Sequence, residues 1–408
     1  MTTIVTALKS LKWLLLAASI GIACGSASVL FLYGLELATA ARLNNSWLLW
    51  LLPLSGALMS WIYLRTGKQS IKGNNLIIEQ IYEIKEGVPR RMAPLVLFGT
   101  WLTHLFGGSA GREGTAVQMG GSIADGVASA LRLNDSNRRI LLLCGISGGF
   151  GSIFGTPIAG AVFSLEVILF SRLSYKALLP VLITSYIGHW TALLLGAQHA
   201  VYSVGTIPAY TWTAVGKTAL AAVAFGIAAW LFASLTRQIK RALTSLFKHP
   251  ALRSFFGGLI IIGLTFLAGT HNYLGLGLPL LDQAFIGEAE GSAFAWKTLF
   301  TAITLGAGFQ GGEVTPLFVI GATLGNTLAG LLQLAAPFLA AIGLAAVFSS
   351  AANTPLAGVV MGVELFGLNA AGYLLIGCSI AYLFSGHTGI YSSQRRGIMK
   401  TKLYRMNR

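Results

Sequence analysis

Acidic side chains are rare in this chain. Asp and Glu together number 13 among 408 residues, and all charged residues make up only 10%. A water-soluble domain carries about a quarter charged residues, so a soluble globular fold is excluded. Cysteine is scarce too. Cys24, Cys144 and Cys378 lie far apart in apolar stretches, which excludes a disulfide framework and a cysteine metal motif. They read as packing residues. The six histidines (His104, His189, His199, His249, His271, His387) show no i, i+4 pair, so no helical metal motif is present. Strands alternating polar and apolar residues are missing as well, which argues against a transmembrane barrel.

What remains is apolar. Hydrophobic residues make up 55% of the chain. Residues 13–35, 43–64, 92–111, 140–165, 177–216, 218–236, 254–281, 314–363 and 365–394 contain no Asp, Glu, Lys or Arg. A membrane-crossing helix needs about 20 apolar residues. The chain is therefore expected to be an all-α polytopic membrane protein, with roughly ten or more helical segments. Its 50 glycines suit close helix packing and broken helices. The first two spans are expected at 13–36 and 43–64, and a third at 92–106. The first is too long for a signal peptide and lacks a small-residue cleavage site, so it reads as an anchor. Pro157, Pro180, Pro316 and Pro355 are expected at or near helix starts.

The net charge of +15 does not indicate nucleic acid, because its placement follows the membrane. Lys9 and Lys12 precede the first span. Arg65, Lys68, Lys72, Lys85, Arg90 and Arg91 fall in one connection, and Arg237, Lys240, Arg241, Lys248 and Arg253 in another. The tail 395–408 holds Arg395, Arg396, Lys400, Lys402, Arg405 and Arg408 with no acid. The connections near 197–211 and 270–292 carry no Lys or Arg. This is the positive-inside pattern, so both termini are placed in the cytoplasm.

Residues 107–125 organise the chain. Glu113 sits among glycines at an expected helix start, with no further acid until Asp125. A helix start exposes unpaired N–H groups and roughly half a positive charge, and so binds anions. Two readings of Glu113 stand side by side. It is either a helix cap or a built-in anion that competes with a free one. An ionisable residue within a membrane favours the second.

An internal repeat supports this. Glu113-Gly114-Thr115 recurs as Glu313-Val314-Thr315, 200 residues later, and Gly121 matches Gly321. Thr156-Pro157-Ile158-Ala159-Gly160 recurs as Thr354-Pro355-Leu356-Ala357-Gly358, 198 residues later. An acid follows each, Glu166 and Glu364. The chain thus divides into two homologous halves, about 10–200 and 212–394, within one membrane domain. In transporters such halves are often inverted, with broken helices meeting at a midplane site. That would aim the helix starts at 113 and 315 at one point. Glu166 and Glu364 are expected mid-helix, paired with backbone or helix ends, and Asp125 at a helix end. His104 reads as a satisfied interior histidine, with a proton route as the other reading.

These motifs resemble those of the CLC anion channels and anion/proton exchangers, over essentially the whole chain. Gly111-Arg112-Glu113-Gly114 is similar to the family's gating-glutamate motif. The Pro-Ile-Ala-Gly and Pro-Leu-Ala-Gly segments also match. Tyr391, expected in the last apolar helix, resembles the family's pore tyrosine. The resemblance implies a CLC-type fold of two inverted halves, a homodimer with one pore per subunit, membrane lipid around it, no cofactor, no metal and no enzymatic activity. With nothing after the membrane portion, it implies no C-terminal regulatory domains.

Four departures point to one branch. Conventional chloride members have Gly-Ser-Gly-Ile-Pro where this chain has Gly73-Asn74-Asn75-Leu76-Ile77, so Asn74 replaces the chloride-coordinating serine. Thr115 replaces a common proline. Gly312-Glu313-Val314-Thr315-Pro316 loses the phenylalanine of Gly-x-Phe-x-Pro and gains a glutamate. Val167 stands where exchangers carry an inner proton glutamate. All four resemble the fluoride/proton antiporter branch, found in bacterial inner membranes. The resemblance implies that Glu113 gates and carries the proton, with Glu313, Thr315 and Tyr391 lining the inward side. Gly73, Asn74, Asn75, Gly111, Arg112, Gly114, Thr115, Val314 and Tyr391 would then surround the anion. Asn74 and Asn75 supply amide donors suited to a strongly hydrated ion such as fluoride. A chloride channel or chloride/proton exchanger of the same family is the alternative, and a membrane-embedded enzyme a remote one.

Overall fold

The computed structural model describes residues 2–168, 172–387 and 389–395. The basic tail beyond Arg395, with Arg396, Lys400, Lys402, Arg405 and Arg408, lies outside the described residues. Those described form sixteen α-helices and no extended strand. In the first half these are α1 (Thr2–Asn44), α2 (Leu52–Ile62), α3 (Asn74–Tyr82), α4 (Met92–Leu105), α5 (Glu113–Ala130), α6 (Asp135–Phe154), α7 (Pro157–Glu166) and α8 (Arg172–Leu194). In the second they are α9 (Trp212–Leu246), α10 (Pro250–Ala268), α11 (Leu278–Ile286), α12 (Ala293–Gly306), α13 (Val314–Leu332), α14 (Ala336–Ala352), α15 (Pro355–Phe366) and α16 (Ala371–Phe384).

Helix lengths separate membrane crossings from half-crossings. With 43 residues, α1 is about 65 Å long, twice the hydrocarbon thickness. It absorbs residue 43, so the second span begins only after the break at Asn45. The 14 residues of α4 reach about 21 Å, too little to cross. This helix delivers the chain to the interior. Pro157 and Pro355 open α7 and α15, and Pro316 lies in the first turn of α13. Pro180 departs from expectation and sits inside α8.

Packing repeats the sequence symmetry. In the first half α5 packs on α6, α4 on α5, and α6 on α1, α7 and α8. In the second, α13 packs on α14, α12 on α13, and α14 on α9, α15 and α16. Equivalent helices also meet across the halves, α2 with α10, α7 with α15 and α5 with α13. Small residues permit the closest crossings. A β-carbon on Gly120 would strike the Gly145 carbonyl, and one on Gly321 the equivalent Gly343 carbonyl. The buried rings of Phe150, Phe163, Phe318 and Phe348 fill the centre between the halves. Apolar side chains such as Trp190, Leu194 and Leu331 face outward, as hydrocarbon surroundings require.

The acids of the repeat hold the halves together. Glu166 Oε1 and Oε2 accept from the N–H groups of Leu356 and Ala357, at 3.0 and 2.7 Å. Glu364 returns the bonds, accepting from Ile158 and Ala159 at 2.9 and 2.6 Å. Each glutamate caps the other half's short helix. Glu166 is the last residue of its helix rather than a mid-helix residue. Asp125 is buried inside α5 and not at its end. There it receives Arg138 from α6 at 2.5 and 2.7 Å and the Val88 N–H at 2.6 Å.

Candidate functional site

The segments before α5 and α13 meet in a two-stranded antiparallel contact. Gly111 N–H donates to Gly312 O at 2.6 Å, and Gly312 N–H to Gly111 O at 2.8 Å. A β-carbon on Gly111 would lie 2.8 Å from Pro316 Cδ and 3.0 Å from Thr315 N, so the approach requires glycine. Both helices start from this crossing.

Glu113 is fully buried there. Its Oε2 accepts from the Thr315 backbone N–H at 3.0 Å and from the Thr315 hydroxyl at 2.5 Å. Oε1 lies 3.5 Å from Arg112 Nε and has no hydrogen-bond partner. The carboxylate thus occupies the N-terminus of α13, the anion position made by the other half. It does not cap α5, its own helix. The starts of α5 and α13 thus lie together, with Glu113 of the first seated on the second.

Asn74 approaches from a third helix start. Gly73, with φ +58°, turns the chain into α3. The Asn74 Nδ2 atom lies 3.0 Å from the place a β-carbon on Gly114 would take, and Glu313 Oε2 3.9 Å from it. Asn74 Oδ1 is buried without a partner. Glu113, Glu313 and Asn74 are therefore gathered around Gly114, from three sequence regions. Val314 is buried in the first turn of α13.

Three expected site residues are engaged differently. The Thr115 hydroxyl pairs with Thr100 of α4 at 2.8 Å, anchoring α5. Asn75 Oδ1 accepts from Ser393 N–H at 2.9 Å, so this oxygen braces the last segment. Tyr391 is not in the last apolar helix, since α16 ends at Phe384. It lies in the following irregular segment, buried, with its ring 6.4 Å from that of Phe163. Ile390 N–H holds the segment to Ala351 O of α14 at 2.9 Å, and Ser393 Oγ donates to Glu79 at 2.8 Å.

Sequence reasoning missed Thr100, Glu79 and Ser393, whose partners lie 15 to 318 residues away. It also missed Gln118, one turn beyond Glu113 on α5. Its amide lies 3.5 Å from the β-carbon position of Gly73, at the start of α3. An amide inside an apolar helix was the available signal.

Known proteins agree with this architecture. A family model described as "Voltage gated chloride channel" matches residues 55–386. A protein of Pseudomonas syringae pv. tomato named "Chloride/fluoride channel protein" is 46% identical over 396 residues, covering 95% of this chain and 87% of the relative. A protein of Vibrio vulnificus named "H(+)/Cl(-) exchange transporter ClcA" is 26% identical over 67% of this chain and 62% of its own length. Among solved structures, one described as a CLC-type fluoride/proton antiporter superposes with a TM-score of 0.92 at 34% identity, covering 95% of this chain and 98% of that one. A slow cyanobacterial Cl−/H+ antiporter superposes with a TM-score of 0.80 at 20% identity and shares the fold. With its paired halves, reciprocal glutamate caps and glutamate-bearing crossing, this chain belongs to the CLC family of voltage-gated chloride channel type.

Proposed function

We propose that the protein exports fluoride from the cytoplasm in exchange for protons, as a secondary active transporter and not an enzyme. The observation that carries this reading is the seat of Glu113 on the Thr315 N–H and hydroxyl. A carboxylate there excludes a free anion. Protonation removes its charge and weakens its hold on the donors, so a fluoride ion can take them. The ionised carboxylate and a free anion thereby exclude each other at one place, and a proton on Glu113 yields the place to the anion, which couples the two fluxes. Asn74 favours fluoride, because its NH₂ group replaces water around a strongly hydrated ion. Glu313, beside Gly114 with Asn74, gives the proton a second carboxylate on the inward side. The similar proteins named for fluoride support this choice.

Chloride/proton exchange is the second reading, supported by the relatives named for that activity. The positive-inside charge pattern supports a bacterial inner-membrane protein with both termini facing the cytoplasm. Its membership of the family supports a homodimer with one pore per chain and lipid around it.

The deciding experiment is ion efflux from proteoliposomes loaded with fluoride or chloride, with external pH recorded at the same time. Fluoride efflux with proton uptake and little chloride movement is expected. Chloride efflux as fast as fluoride would transfer the assignment to the second reading. Coupled flux that survives Glu113→Gln would remove the gate from Glu113.

A further inference from the structure

A second cluster of charge lies apart from the Glu113 crossing and, among the described residues, has no counter-charge. Arg42 closes the last turn of α1 and is 8% exposed. Lys297, on α12, is fully buried. Both reach the same residue of the connection between α10 and α11. Lys297 Nζ donates to Gly275 O at 2.8 Å and to Tyr273 O at 3.1 Å. A β-carbon on Gly275, where φ is +60°, would come within 3.1 Å of Arg42 Nη2 and 3.5 Å of His104 Nδ1. His104 is fully buried at the end of α4.

Among the described residues neither Arg42 nor Lys297 forms an ion pair. Glu290 is turned to the Tyr273 hydroxyl at 3.0 Å and to Ser292. Arg42 Nε is buried with no hydrogen-bond partner, and the Lys297 ammonium has a third donor beyond its two carbonyls. A guanidinium cannot shed its proton in a protein. The carbonyl ends of α1 and α4 offset only part of this charge, each being worth about half a unit. Buried charges without partners are strongly disfavoured. The missing partner has to be a small anion, because Arg42 Nη2 and His104 Nδ1 lie 3.1 and 3.5 Å from the β-carbon position of Gly275, and Lys297 Nζ 2.9 Å from that of Gly277, two glycines that leave this space without a side chain.

We infer that Arg42 and Lys297, with His104 beside them, bind a small monovalent halide at Gly275, a site separate from the one at Glu113. In the proposed topology this lies on the external side, where α1 ends and α12 begins. The connection from α4 to Glu113 touches it directly. Gly108 O accepts from Gly275 N–H at 3.1 Å, and a β-carbon on Gly107 would lie 3.7 Å from Arg42 Cδ. An anion displaced past Glu113 would meet this site on its way out.

The test is calorimetric titration of sodium fluoride, and separately sodium chloride, into the purified full-length protein in a gluconate background at constant ionic strength. The unaltered protein should bind one more halide per chain than Lys297→Met or Arg42→Gln. The charge-keeping Lys297→Arg and Arg42→Lys should retain the extra ion, weakened about tenfold at most. Equal stoichiometry in the unaltered protein and the folded, monodisperse charge-removing variants would overturn the site and leave Arg42 and Lys297 as braces of the connection. If those variants do not fold, crystals of the unaltered protein grown in bromide serve instead: an anomalous bromide peak beside Gly275, in contact with Arg42 and Lys297, is expected, and its absence would overturn the inference. An extra ion seen with chloride alone would keep this site while removing the fluoride assignment.

Discussion

Glu166 and Glu364 exchange helix caps between the two halves, each carboxylate accepting two backbone N–H groups of the other's short helix. Both helices open with proline, and the threonines before them make no side-chain cap. Among the described residues the glutamates therefore supply the charged cap at either start. Glu166→Ala should strand one buried and one part-buried donor and cost about 2–3 kcal/mol, read as a lower melting temperature. The protein that remains folded should keep its proton-to-anion flux ratio. A changed ratio with unchanged melting would instead make Glu166 a proton carrier.

Thr315 is the principal hold on Glu113, through both its N–H and its hydroxyl. Thr315→Val deletes the hydroxyl while keeping the backbone bond. A charge-assisted hydrogen bond of about 1.5–3 kcal/mol is lost, and the gate leaves its seat more easily. Anion flux should rise relative to proton flux in proteoliposomes, while Thr315→Ser should behave like the unaltered protein. An unchanged flux ratio in the valine variant would show that the hydroxyl does not hold the gate.

Much of this was legible in the sequence, for a physical reason. Helix starts that face each other inside a membrane need glycine for close approach and an acid to meet the exposed N–H groups. Those residue types recur at offsets of 200 and 198, so the two halves and the Glu113 crossing could be read directly. Tyr391 was misplaced because the uncharged run 365–394 looks like one helix. The Ser385-Gly386-His387 sequence that ends it is a loop signal masked by apolar flanks. Asp125 was misplaced because its partner Arg138 lies on the next helix, and no local pattern announces such a pair. The hydroxyl pairing of Thr115 with Thr100 was hidden for the same reason.

Gly114 is the point on which Asn74, Glu313 and the opposing backbone converge. A β-carbon there would lie 2.9 Å from Gly312 Cα and 3.0 Å from Asn74 Nδ2. The backbone on one side cannot yield without opening the crossing, so Asn74 must move. Gly114→Ala should cost about 1–3 kcal/mol of stability and reduce fluoride flux more than tenfold, a loss of about 1.4 kcal/mol or more at the barrier. Both are measurable on purified protein, by melting and by efflux. Normal flux would mean that Asn74 does not take part in anion passage.

Glu79 links the polar face of α3 to the segment that carries Tyr391. Its Oε1 accepts from Ser393 Oγ at 2.8 Å and its Oε2 from Lys72 Nζ at 2.7 Å. Arg395 lies over the Tyr82 ring, 4.4 Å from its centroid. The Lys72 hydrogen bond, aided by Ser393, holds the Glu79 carboxyl below the usual glutamate range. The folded pKa is thus depressed. Its stabilising contribution is present above the ordinary glutamate value and is lost as pH falls through the depressed one. Lys72 and Glu79 are substantially exposed, so solvent screens the pair and the effect is local rather than global. Acidification should loosen residues 389–395 without unfolding the helices, and trypsin should cut after Arg395 a few-fold faster, about two- to fivefold for a contact of this class. Glu79→Gln should show the faster cutting already at neutral pH and lose the pH dependence. Cleavage that accelerates equally on acidification in Glu79→Gln and in the unaltered protein, each corrected for the enzyme's own pH profile, would remove Glu79 as the clasp. The segment that carries Tyr391 would then be held by the Ile390–Ala351 and Ser393–Asn75 bonds and by the ring contact of Tyr391 with Phe163.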